Sequence, residues 1–386
     1  MEKAEVLVIG GGPAGATAAF RLAGTGHDVL LVDRAQFPRD KVCGESLSPG
    51  GLRRLDALGL SPFTPSPSGN VTARFPVLGM RIYSPANAGF HGRYRRGTHT
   101  GAVARRVDLD AALLGAAKRA GVRVREGIEA LGVTGSTSTE GEVRARVVGT
   151  SNEFRIAARR VIVADGRRSF IARELGFLEA SETQSPRFAV RAHCAGIEGL
   201  EDFAEMHVGR NGYCGVAPMS TTDANICLVV FGNRIEMAPA SMVEGFERMT
   251  RAFPLISPRM QSARVTGPVR VVGPLRLRSN RSSAGPFAAC GDTTGFLDPF
   301  TGEGITHAIA SGVACADAVA SSISGADGAF RDYERRLIEI RGRKPAAARL
   351  LFALITRPAL ANGTARLLAR TPRVADALVQ FFGDQV

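Results

Sequence analysis

The stretch "EVLVIGGGPAGATAAFRLAGTGHDVLLVD", Glu5 to Asp33, constrains the fold more than any other part of the chain. Val6 to Ile9 form an unbroken apolar run, the texture of a parallel strand covered on both faces. Gly10, Gly12 and Gly15 follow at G-x-G-x-x-G spacing. The first glycine permits a tight turn, the second lets the backbone approach a pyrophosphate, and the third lets a helix pack close to the strand. Pro13 suits the first turn of that helix, which runs to the glycines at 24 and 26. Its free N–H groups and partial positive end favour a phosphate, with Ala14 in the same turn. A second apolar strand ends at Asp33, spaced to hold a ribose hydroxyl pair. Strand, turn, helix and acid together predict dinucleotide binding. The motif alone does not separate FAD from NAD.

Two later strand ends bear on that choice. "PFAAC" predicts a short buried strand ending at Gly291-Asp292, and a carboxylate there can accept hydrogen bonds from a polyol such as the ribityl chain of a flavin. Pro299, Gly302, Gly304 and Ile305 then belong to a glycine-rich turn opening a small-residue helix. Such a helix start favours the negative charge that reduced flavin carries at N1 and O2. "VIVADGRRSFIARELG" predicts another strand leading to Asp165-Gly166. Arg106 precedes a helix bearing Leu109, Leu113 and Ala116 on one face and ended by Gly121, where a guanidinium could clamp a pyrophosphate.

These elements in this order resemble the group A flavoprotein monooxygenase fold, the para-hydroxybenzoate hydroxylase type. The "KVCGES" loop and "GDTTGFLDPFTGEGI" are more similar to its geranylgeranyl reductase-like branch. The resemblance implies an α/β fold: a Rossmann-like FAD-binding domain, an inserted, mostly antiparallel β-sheet substrate domain, and a C-terminal helical region. It implies that Gly10, Gly12, Pro13, Ala14, Gly15, Asp33 and Arg34 hold the ADP half of FAD. It further implies that Lys41, Cys43, Gly44, Arg106, Asp165, Gly291 and Asp292 approach the cofactor, and that Pro299 to Ile305 line its ring. The expected FAD-binding domain is discontinuous, at 1–70, 101–181 and 276–330. The substrate domain then takes 71–100 and 182–275, and 331–386 form the helical region. Short β-branched runs such as "RFAVRAHCAGI" and "NICLVVFGN" fit an antiparallel sheet.

Composition removes other classes. Six cysteines lie far apart in no zinc-like spacing, so neither a disulfide framework nor a metal site is expected. The formal charge of +13 is nearly all arginine, spread along the chain without a nucleic-acid-binding signature. No apolar run approaches bilayer-spanning length, and a cytoplasmic protein is expected. The C-terminal stretch alternates apolar patches with arginine, which predicts a helical cap packed on the FAD domain. Its alternative is a face that touches lipid or an acidic carrier protein. Peripheral membrane contact is not the expectation.

The first chemistry the resemblance implies is monooxygenation of a hydrophobic or aromatic, carrier-tethered or free, biosynthetic intermediate through a flavin C4a-hydroperoxide. NAD(P)H or a separate reductase would supply electrons, since no second nucleotide fingerprint is present. Reduction of prenyl double bonds is the alternative. Against it, the aromatic-rich Y-x-W-x-F-P of such reductases reads here as "YCGVAP", with Gly215 and Ala217 in the aromatic positions. A third expectation is a flavoprotein that modifies a partner protein or carrier-bound substrate. A halogenase is disfavoured because the chain has no tryptophan. Cys43, His193 and Tyr213 are the candidate catalytic residues, with Arg191 and His207 also expected to face the substrate chamber.

Overall fold

Five parallel strands carry the glycine turn. In the computed structural model, which describes residues 1–60, 75–94, 100–137, 139–179, 186–232, 241–275, 277–296 and 299–383, Glu2–Ile9 lies centrally. Val29–Asp33 and then Arg123–Glu126 flank it on one side, and Glu153–Val163 and then Phe287–Ala289 on the other. Val6, Leu7 and Val8 are fully buried, as a strand covered on both faces requires. The helices Pro13–Ala23 and Gly304–Ile323 pack on one face of this sheet at backbone contact. A Cβ on Gly312 would sit 2.4 Å from the Ala14 carbonyl oxygen, so only glycine permits that approach. The other face is covered by the antiparallel strands Ile128–Ser136 and Gly141–Val147 together with Ile171, Ala172 and Phe177.

A second sheet, mostly antiparallel, stands apart from the first. Its strands run in the order Arg264–Val265, Arg187–Ala195, Asp223–Phe231, Gly212–Pro218, Phe203–Gly209, Gly79–Tyr83, Gly89–Arg93. Only the pairing of Phe203–Gly209 with Gly79–Tyr83 is parallel. The expected boundaries at 70–71 and 181–182, and residue 276, fall outside the described residues.

Three helices, Lys344–Ile355, Pro358–Arg370 and Pro372–Gly383, end the described chain. They were expected to cap the FAD domain, but the last two pack on the second sheet. The Arg93 N–H donates to Asp376 Oδ1 at 2.7 Å, and Gly92 lies so close to Ala375 that a Cβ there would meet its carbonyl oxygen at 2.5 Å. The reason is local: Gly89–Arg93 is an edge strand, and a helix laid across it covers backbone groups that would otherwise stay unpaired.

Candidate active site

The glycine turn is built as its spacing requires. Gly10 has φ +105°, and a Cβ there would meet the Ala164 carbonyl oxygen at 2.5 Å; one on Gly15 would lie 1.9 Å from the Gly10 oxygen. Helix and strand therefore meet through hydrogen atoms alone. Gly12, by contrast, faces open space, with only an Arg39 nitrogen within reach at 3.4 Å. Gly12, Pro13 and Ala14 form one end of a single cavity of about 1160 Å³.

Arg34, Lys41, Cys43, Gly44 and Asp165 line that cavity, as do Gly291, Asp292, Pro299, Gly302, Gly304 and Ile305. Gly10, Gly15 and Asp33 do not line it. The first two act behind the surface as turn geometry. Asp33 accepts the Gly11 N–H at 2.7 Å and the Ala35 N–H at 2.8 Å, so its carboxylate braces the glycine turn from below.

Arg106, expected to contact the cofactor, also lines the cavity, with its guanidinium held by a carboxylate. Its Nε and Nη2 donate to the two oxygens of Asp110 at 2.8 and 2.7 Å, and Arg39 adds a bond to the same carboxylate at 2.9 Å. Burial opposes the charge on Arg106, yet Asp110 and then Cys43 hold its guanidinium well above the ordinary range. Asp110 escaped notice in the sequence although it stands four residues after Arg106, the spacing at which helical side chains meet.

The loop around Cys43 answers to the second sheet. Asn225 Nδ2 donates to the Cys43 carbonyl at 2.8 Å, and His193 Nε2 lies 2.8 Å from Glu45 Oε2. Asp40 pairs with Arg191 and, at 2.8 Å, with Arg270. Burial pushes the Asp40 carboxyl up, but the two guanidinium groups outweigh it and leave it below the usual carboxylate value. Glu45 occupies the left-handed region at φ 59° and is fully buried, its N–H on Cys43 Sγ at 3.3 Å and its Oε1 on the Arg106 N–H at 2.9 Å. A strained residue with every group engaged marks a loop held in one shape.

This arrangement corrects three expected chamber residues. Arg191 and His193 share a strand face with Ala189, which does line the cavity, but the 40–45 loop covers them. His207 alternates with the lining residues Met206 and Val208; it stacks on Tyr83 at 4.6 Å and bonds to Glu205 at 2.8 Å. Tyr213 does line the chamber, its ring edge-on to Phe300 at 5.0 Å. Gly215 and Ala217 line it too, and a Cβ at Gly215 would meet nothing nearer than 3.7 Å.

Polar groups at the cavity wall show what it can hold. Asp165 Oδ1 is shielded from solvent and has no hydrogen-bond partner in the protein. Burial pushes its carboxyl up to about 6, against the lowering effects of Ser169 and Lys41. A buried acceptor without a partner is costly unless a ligand supplies the donor. Lys41 Nζ stands over Gly166, 3.1 Å from where a Cβ would lie; burial, reinforced by Arg106, pulls its ammonium down, and Asp292 offsets part of that. Open backbone at Gly12, Gly44 and Gly302, this orphaned acceptor and these cations fit FAD: phosphates over the glycine turn, donors against Asp165.

Glu303 lies in the Pro299–Ile305 turn expected to line the ring, whereas the lining groups Lys344 and His307 were not anticipated. Glu303, just before the Gly304–Ile323 helix, pairs with Lys344 of the C-terminal helices, and Lys344 Nζ also donates to the Phe382 carbonyl at 2.8 Å. Burial pushes the Glu303 carboxyl up to about 7 although Lys344 counters it. His307 Nε2 lies 3.2 Å from Thr294 Oγ1, and burial pushes the ring down to about 3, so it is neutral at physiological pH. Beyond these groups the cavity turns apolar, walled by Leu351, Leu354, Ile355, Leu368, Leu378 and Val379.

A family model described as FAD binding domain matches residues 3–335. The whole chain is 27% identical to the menaquinone reductase of Mycolicibacterium smegmatis, over 92% of that protein. It is 30% identical to the digeranylgeranylglycerophospholipid reductase of Methanothrix thermoacetophila, over 89% of this chain and 85% of the other. A flavin-dependent brominase superposes with a TM-score of 0.82 at 19% identity, covering 99% of this chain and 93% of its own. A geranylgeranyl bacteriochlorophyll reductase-like protein of Thermoplasma acidophilum gives 0.74 at 24%, covering 100% and 93%. These two structures share the fold.

Proposed function

This chain belongs to the FAD binding domain family, in its geranylgeranyl reductase-like branch, and from that premise we propose that this FAD-dependent oxidoreductase saturates double bonds in the prenyl chain of a hydrophobic lipid. The observation that carries the proposal is the continuity of one cavity from the glycine turn to the apolar sides of the C-terminal helices. A long hydrocarbon chain can lie along Leu351, Leu354 and Leu368 while one double bond reaches the Pro299–Ile305 turn. Those helices supply the apolar grip that "YCGVAP" lacks, which removes the main objection from sequence. The relatives named for lipid reduction match over most of their length, which adds support.

Bound FAD, once reduced by NAD(P)H or a separate reductase, would supply a hydride, that is two electrons and one of the two protons. Arg34 and the turn at Gly12 would hold its phosphates, and Asp165 would accept a hydrogen bond from it. Saturating a double bond also consumes a proton, which the chain must bring to the second carbon. Glu303 retains a proton close to neutral pH, and Cys43 is among the residues that line the same space. The apolar wall excludes water from the reacting carbons.

A second reading keeps the oxygen transfer expected from sequence. It is favoured by Gly215 and Ala217, whose small side chains widen the chamber toward an aromatic ring. One experiment separates the two. FAD-loaded protein, reduced by dithionite without oxygen, is given a prenyl quinone or prenyl glycerophospholipid, and the product is weighed. A gain of two hydrogens per double bond supports reduction. No anaerobic product, with an added oxygen atom appearing on an aromatic substrate in air, refutes it.

A further inference from the structure

Outside the cavity, the C-terminal helices present a second apolar surface. Leu350, Leu360, Leu367, Val374 and Phe381 are 40% to 65% exposed, an unusual concentration of large apolar side chains on one region. Their spacing is regular. Leu360 and Leu367 lie seven apart on one helix, Val374 and Phe381 seven apart on the next, so each helix carries an outward apolar stripe. The inward stripes, Ala361-Ala365-Leu368 and Ala375-Val379-Phe382, already satisfy packing against the protein. The outward stripes have no such role.

Charge accompanies them. Arg343, Arg349, Arg357, Arg366, Arg370 and Arg373 are all exposed, and none has a carboxylate partner among the described residues. From 343 to 383 the single acid is Asp376, whose carboxylate accepts the Arg93 N–H at 2.7 Å. Leu350 and Val374 belong to both surfaces, exposed outside and lining the cavity within, so the stripe borders the cavity. Among the described residues no helix is long and apolar enough to cross a membrane.

We propose that the outward face of the three C-terminal helices docks on an anionic lipid bilayer, with Leu360, Leu367 and Phe381 entering the interface and the arginines facing lipid phosphates. The helices lie in the plane of the interface and hold the cavity's apolar end against it. A hydrophobic substrate then passes from bilayer to chamber without crossing water. An acidic carrier protein would satisfy the arginines but leave the apolar stripes exposed, which is why the bilayer is the better occupant. The docking stands on this face and not on the reductase proposal.

The test is co-sedimentation of the FAD-loaded full chain with vesicles of phosphatidylcholine alone, and of phosphatidylcholine with phosphatidylglycerol in equal parts. The wild type pellets with the anionic vesicles and weakly with the neutral ones. Combined Arg366→Gln, Arg370→Gln and Arg373→Gln loses roughly a hundredfold in affinity for anionic vesicles, about fivefold per charge. Combined Leu360→Ser, Leu367→Ser and Phe381→Ser loses binding to both, while flavin absorbance and melting temperature stay unchanged. Wild type left in the supernatant of anionic vesicles overturns the docking, whether or not an acidic protein captures it; so does equal pelleting by all three proteins. Vesicle binding by a chain that saturates no prenyl lipid upholds the docking and sinks the reductase proposal alone.

Discussion

Replacing Lys344 by methionine removes the cation that faces Glu303 and the donor that ties it to the Phe382 carbonyl. Glu303 is about nine-tenths buried, and its carboxyl already sits at about 7 where an ordinary glutamate would sit at 4.5. The folded state therefore holds a proton between those values that the unfolded chain has released, and stability falls as pH rises through that window. The displacement corresponds to about 3 kcal/mol lost by pH 8. Without Lys344 the carboxyl keeps its proton to higher pH rather than standing ionised and unpaired, so the variant's extra loss is capped at about 1.4 kcal/mol for each pH unit above 7, hence about 1.4 kcal/mol at pH 8. At pH 5, Glu303 is protonated in both proteins and the penalty disappears. Thermal melts of wild type and Lys344→Met with FAD bound check this. A variant about two degrees less stable at pH 8, and level with or above the wild type at pH 5, is the expected result. An equal deficit at both pH values would refute the reasoning, because it would mean that Lys344 acts through packing rather than through the charge on Glu303.

Three further outcomes follow from the cofactor end of the cavity. Asp165→Asn removes a buried carboxyl with one unpartnered oxygen, so the FAD-free protein melts higher while FAD binds roughly tenfold more weakly in a fluorescence titration. Gly15→Ala sets a carbon 1.9 Å from the Gly10 oxygen; the helix must shift, at a cost of about 3 kcal/mol or more in denaturant unfolding, and FAD is lost on purification. Cys43→Ala keeps FAD bound, because the loop remains pinned by Asn225 and by the Glu45–His193 bond, but changes the flavin potential or the rate of substrate reduction. An unchanged potential and rate would reduce the thiol to a loop side chain.

The parts of the fold that were legible in the sequence are those whose signal is local. Glycine spacing and an apolar run specify a strand, turn and helix within thirty residues, and Gly10, Gly12 and Gly15 behave as that signal demands. β-branched alternation likewise announced the second sheet. The chamber was less legible because its walls meet across long separations: Cys43 with Asn225, Glu45 with His193, Glu303 with Lys344. Strand alternation groups Arg191 and His193 with Ala189 correctly, but it cannot say that a loop 150 residues earlier lies over two of the three. Nor does the amphipathic pattern of the last helices say which sheet they cover. Their apolar residues serve both a cavity within and an exposed stripe without, and the sequence weights the two alike.

The account rests on flavin and lipid chain occupying one continuous space. Titrating the FAD-loaded protein with a prenyl lipid, while following the flavin absorbance bands, measures that continuity directly. A saturable change in band shape that is lost in Gly215→Trp, whose ring would block the chamber, is the predicted result. A flavin spectrum indifferent to saturating lipid would contradict it.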